Sequence, residues 1–133
     1  MPAIPVRLQG ADGAHVNVIA LIDSGADCAC FPLVWADLLG VDLSACVARR
    51  GSTAGGAAEQ WWWQPGIEAE VAGVSLNLTG VFSSTQVALL GRQDFFRVFE
   101  VSLNEREATF TLSPFDPDPD GPQVDREAAA SAA

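Results

Sequence analysis

Short alternating runs of apolar and polar residues dominate this chain, and two runs are apolar throughout. Ile4 to Leu8 alternates, and so do Val16 and Val18 before Ile19 to Ile22 turns wholly apolar. Gly10-Ala11-Asp12-Gly13 lies between them, a hairpin signal. Cys28 to Phe31 is short and apolar and reads as a third strand. Pro32 suits a first helical turn and Gly40 a helix end, so Leu33 to Leu39 is expected to make two helical turns. Val47 to Arg50 and Glu59 to Gln64 read as strands on either side of the small residues Gly51 to Gly56. In the second of these strands Trp61 and Trp63 share a face and Trp62 takes the other.

Pro65-Gly66 is expected to turn the chain. Ile67 to Val71 and Val74 to Leu78 then alternate around Gly73, and Val81-Phe82 forms another short strand. Val87 to Leu90 is the second fully apolar run, ending in Gly91-Arg92. Asp94 to Glu100 predicts a short helix. Val101 and Leu103, then Ala108, Phe110 and Leu112, predict a closing hairpin around Asn104 to Glu107. The pattern stops at Asp116. Asp116 to Pro122 suits neither strand nor helix and an Ala-rich end comes after it, so 116–133 is expected to be a disordered tail on a single 1–115 domain. Many short strands with close turns make that domain all-β, a closed barrel or sandwich with one or two short helices.

Composition narrows the function. The chain has 133 residues, enough for one core, and a formal charge of -10 with no lysine. That balance argues against nucleic acid, which wants a basic face. One histidine and three cysteines leave a zinc site short of ligands, and neither metal nor cofactor is expected. Cys28, Cys30 and Cys46 read as buried free thiols of a reducing compartment. No secretory signal opens the chain and no apolar run reaches the ~18 residues of a membrane helix, so a cytoplasmic protein with no membrane partner is expected.

The chemistry concentrates where the apolar run Ile19 to Ile22 meets Asp23-Ser24-Gly25-Ala26-Asp27. An acid at the end of a buried strand is costly unless something uses it. Alone, the tripeptide could be a surface turn. Paired with the second apolar run into Gly91-Arg92 and a short helix, it resembles the retropepsin-like aspartic proteases, the single-domain family of retroviral proteases and their bacterial relatives. Gly51 to Gly56 sits where that family has a glycine-rich flap. Val81 to Arg92 is similar to its strand, loop and Leu-Leu-Gly-Arg segment. The resemblance covers about residues 3 to 113. Ser24 departs from the commoner Thr, and the flap is unusually rich in Ala and Trp.

The resemblance implies an aspartic endopeptidase. Hydrolysis by this route needs two carboxylates, and the chain holds one such motif, so each chain carries half an active site and a homodimer is implied. Asp23 is then the catalytic acid and base. Ser24 braces the two loops across the axis. Gly25 offers its carbonyl to a peptide substrate, with Ala26 beside it in the supporting loop. Asp27 binds substrate backbone or pairs with Arg92, a buried fork that would fix the loop. Thr53, Ala54, Gly55 and Gly56 form the flap tip. The alternative is a weak or inactive peptide-binding module on the same fold. The tryptophans are open between packing and lining subsites.

Overall fold

The computed structural model describes residues 1–53 and 56–115. The expected tail 116–133 therefore lies outside the described residues. What is described is mostly strand. The hairpin of β1 (Ala3–Gln9) and β2 (His15–Ile22) forms where the alternation predicts it, in register from Ala3 opposite Leu21 to Gln9 opposite His15. Gly13 at its turn adopts a φ of 88°, which a side chain resists. On β1 every second residue, Ile4, Val6 and Leu8, is buried.

The segment after the Asp23 loop departs from expectation. Only Cys30 and β3 (Phe31–Pro32) pair, the latter parallel to β6 (Val74–Ser83). Pro32 is therefore in the sheet rather than opening a helix. Leu33 N–H still donates to Ser83 O at 2.8 Å, and this extended pairing delays the helix. The helix that does form, α1 (Trp35–Leu38), is a single turn, and Gly40 beyond it adopts a φ of 66°.

β4 (Val47–Thr53) and β5 (Gly56–Val71) form a long hairpin, in register from Val47 opposite Trp62 to Thr53 opposite Gly56. Pro65-Gly66 does not reverse the chain. β5 runs through it with a bulge between Trp63 and Ile67, where its register against β6 slips. Gln64, Pro65 and Gly66 stand against Thr79 alone, two residues in excess, and Gly66 takes up part of the irregularity at φ 75°. The real turn is Ala72-Gly73, both at positive φ (49° and 81°). Val81 and Phe82 continue β6 rather than forming their own strand. β7 (Ala88–Leu90), α2 (Phe95–Val98), β8 (Phe99–Asn104) and β9 (Thr109–Pro114) complete the order. The helix expected to reach Glu100 stops at Val98, because Phe99 already pairs with Pro114.

Among the described residues the main sheet has seven strands, in the order β3-β6-β5-β1-β2-β7 with β4 on β5; β8 and β9 pair apart from it. The sheet does not, among the described residues, close into a barrel, one of the two forms expected. Its outermost strands meet, among the described residues, only through the Cys30–Leu89 bridge, whose two bonds measure 3.0 and 2.8 Å. A two-residue strand ending in proline, which has no N–H, cannot extend that contact into a ladder. The core gathers Ile4, Leu8, Ile67, Leu78 and Leu90 around Phe31, Phe82, Phe95 and Phe99. Each such side chain contributes about 1.5–3 kcal/mol by leaving water.

Candidate functional site

β2 and β7 run parallel, with Ile22 opposite Leu90, so the two fully apolar runs end side by side. Asp23 N–H donates to Leu90 O at 2.9 Å as the chain leaves the sheet. The Asp23 carboxylate accepts from Gly25 N–H at 2.9 Å, and Asp23 O from Ala26 N–H at 3.1 Å. The Asp23 side chain is therefore held by its own turn. Gly25 is not in the left-handed region. A Cβ there would lie 3.2 Å from Asp23 Oδ1, a tight contact that the carboxylate would have to ease by a few tenths of an ångström.

The two turns are fastened by backbone. Arg92 N–H donates to Ala26 O at 3.0 Å and Gln93 N–H to Asp27 O at 2.7 Å. A Cβ on Gly91 would lie 2.7 Å from the Cys28 backbone, so only glycine permits this approach. Arg92 Nη2 pairs with Asp27 Oδ1, which joins the two residues as one of the sequence readings required. The expected buried fork is not formed. The contact uses one nitrogen, and the two side chains are 59% and 72% exposed. In this single chain the loop faces solvent, so the pair contributes at most about 1 kcal/mol.

The loop is secured instead by Asp94, which is 9% exposed. Its Oδ2 accepts from Ala29 N–H at 2.8 Å and Thr79 N–H at 3.0 Å, and its Oδ1 from Phe95 N–H at 2.7 Å. One carboxylate thereby joins the segment after the Asp23 loop, strand β6 and the start of α2. Sequence reasoning missed it. An Asp before an apolar helical turn signals an N-cap, but nothing local announces the reach to Ala29 and Thr79.

The thiols beside the loop are free. Burial, then the charges of Asp94, Cys30 and Asp27, pushes the Cys28 thiol up to about 11. Burial also raises Cys30, whose Sγ lies 2.9 Å from Ser83 Oγ. Both are neutral near pH 7 and poor nucleophiles.

Asp23 and Ser24 open onto an apolar cleft of about 560 Å³, whose walls include Pro2, Ile22, Phe96 and Phe110. It lies between the Asp23 loop and the β8–β9 hairpin. Among the described residues, none of β4 or β5 lines it. Thr53 and Gly56 end the described part of the β4–β5 hairpin, while Ala54 and Gly55 lie outside the described residues. The tryptophans divide. Trp61 and Trp63 pack on the core, while Trp62 on the other face lies under Arg49, 4.7 Å from guanidinium to ring centre. Among the described residues no three His, Cys, Asp or Glu side chains cluster as metal ligands, and no helix is long and apolar enough to cross a membrane.

No family model matches this chain, and no curated protein matches it either.

Proposed function

We propose that the chain is one half of an aspartic endopeptidase that acts as a homodimer. The observation that carries this reading is the Asp23 carboxylate, set by its own turn at the mouth of an apolar cleft, beside the Gly91-Arg92 turn. A second copy would bring its own Asp23 alongside. Two carboxylates that close cannot both ionise and share one proton. The ionised one takes a proton from water as that water attacks the scissile carbonyl, and the protonated one gives its proton to the carbonyl oxygen. The resulting gem-diol collapses as the amide nitrogen is protonated and leaves, and no covalent enzyme intermediate forms. Ser24 would brace the paired loops, Gly25 O would receive the substrate backbone, and the β4–β5 hairpin would close over it to exclude water. The fold would then be of the retropepsin type and its setting the cytoplasm.

A second reading, a peptide-binding module that does not cut, is favoured by the tryptophan-rich hairpin. Digestion of a peptide library separates the two. Wild type is expected to cleave, and Asp23→Asn to be slower by roughly 10²–10⁴-fold. Equal cleavage by both proteins sinks the protease assignment; tight binding without turnover by wild type establishes the module.

A further inference from the structure

The β4–β5 hairpin has a feature that the hydrolytic reading does not use. Among the described residues β4 pairs with β5 along its whole length and with no other strand. Alternate N–H and C=O groups on its outer edge are thus without a ladder. Arg49 and Arg50 sit side by side there, on opposite faces and both exposed. Arg49 lies opposite Gln60 and reaches diagonally over Trp62. The indole is itself steadied, since its Nε1–H donates to Gln60 Oε1 at 3.3 Å.

The ring face holds the guanidinium over it, while the side chain as a whole stays exposed to water. A planar fork held this way is ready for a carboxylate, with little rotamer freedom left to lose. Among the described residues the only ion pair is Arg92 with Asp27, so Arg49 has no carboxylate partner there. The rest of the chain sharpens the contrast. Against 17 acids it has seven basic residues, and two of those stand adjacent on this edge. A basic spot on an acidic molecule steers an anionic segment to one place.

We propose that the open edge of β4, with Arg49 stacked on Trp62, docks an extended peptide bearing acidic side chains, which joins the sheet as a further strand. Main-chain bonds to β4 hold the peptide, and side chains set its choice. Arg49 and Val47 share a face, and Val47 is 40% exposed. The preferred peptide therefore carries an acid two residues from an apolar side chain.

The test uses the full chain and a fluorescein-labelled ten-residue peptide, Glu-Ser-Val-Ser-Glu-Ser-Val-Ser-Glu-Ser, which puts Glu and Val two residues apart on one face, read by anisotropy. The same peptide with Gln for Glu is expected to bind at least about tenfold more weakly, a difference of about 1.4 kcal/mol. Arg49→Gln is expected to weaken the Glu peptide by a similar factor. Arg49→Lys, which keeps the charge but not the planar fork, should fall between. Arg97→Gln, with the same change in net charge on α2, should stay within about twofold. Hydrogen exchange should slow at β4 amides when the peptide binds. Asp23→Asn should bind as wild type does, which separates this site from the hydrolytic one. Equal affinity for both peptides, undiminished binding by Arg49→Gln, or binding without β4 protection would overturn the proposal. So would competition by single-stranded DNA as effective as by the peptide. Failure of both peptides to bind would overturn it too, leaving the two arginines only to guard an edge against strand pairing.

Discussion

Asp94 and Arg92 show how burial reorders the importance of charges two positions apart. Arg92 and Asp27 form an ion pair in water, whereas Asp94 accepts three backbone N–H groups in a nearly dry setting. Removing the carboxylate takes away the acceptor of Ala29 and Thr79 N–H, whereas Phe95 N–H keeps Gly91 O at 3.1 Å. Asp94→Ala should therefore cost about 3 kcal/mol in urea unfolding, and Asp94→Asn less, since one amide oxygen can still accept. Arg92→Ala should cost under about 1 kcal/mol in the same assay. Cys28 gives a pH dependence. Its folded thiol titrates near 11, above the ordinary value of 9.0, so the protonated form is favoured on folding. Because the folded value is the higher one, the contribution to stability is complete below pH 9 and is lost as pH climbs toward 11. Alkylation of Cys28 by iodoacetamide should thus be slow at pH 8 and accelerate only above about pH 10, whereas the unfolded chain reacts readily at pH 8. Rapid labelling of folded protein at pH 8 would contradict a thiol raised by burial.

The elements track the alternation closely where strands are short and paired to sequence neighbours. β1 and β2 fall where the pattern puts them, because period two and a tight turn are local properties, while the closing hairpin forms with β8 starting early at Phe99 and its turn shifted to include Ala108 at φ 54°. β5 fails the same reading for a reason seen only in its partners. Pro65 and Gly66 are turn residues, yet β6 lies alongside on both sides of them and keeps the chain extended through a bulge. Gly66 is what makes this possible. A Cβ there would meet Asn77 Oδ1 at 2.2 Å and Leu78 O at 2.8 Å, on top of the positive φ. Gly66→Ala should therefore destabilise by about 1–3 kcal/mol in thermal or urea unfolding. Gly13→Ala, in open space at a similar φ, isolates the backbone cost alone, about 1 kcal/mol. A Gly66→Ala loss no larger than that of Gly13→Ala would show that the bulge is not tightly packed. α1 is short for a related reason: the pairing of β3 takes the residues that its first turn would have used.

The molecule as a whole carries a charge that any self-association must overcome. Two chains at -10 each repel, and protonation of carboxylates or added salt relieves the repulsion. The proposed dimer should accordingly tighten at mildly acidic pH and at high ionic strength, as sedimentation equilibrium would report; looser association under those conditions would count against it. What the sequence by itself determined is the strand content, most hairpins, and the residues of the Asp23 and Gly91-Arg92 turns, because alternation and turn chemistry act between near neighbours. It also marked Asp27 and Arg92 as possible partners. Tertiary structure alone decided that the two apolar runs lie in parallel contact, that Asp94 rather than the Arg92 pair secures the loop, that the sheet stays open, and that Trp62 stacks under Arg49 while Trp61 and Trp63 pack on the core. Each of these depends on groups whose meeting is set by how faces pack and which backbone groups remain to be satisfied, quantities that no local window contains.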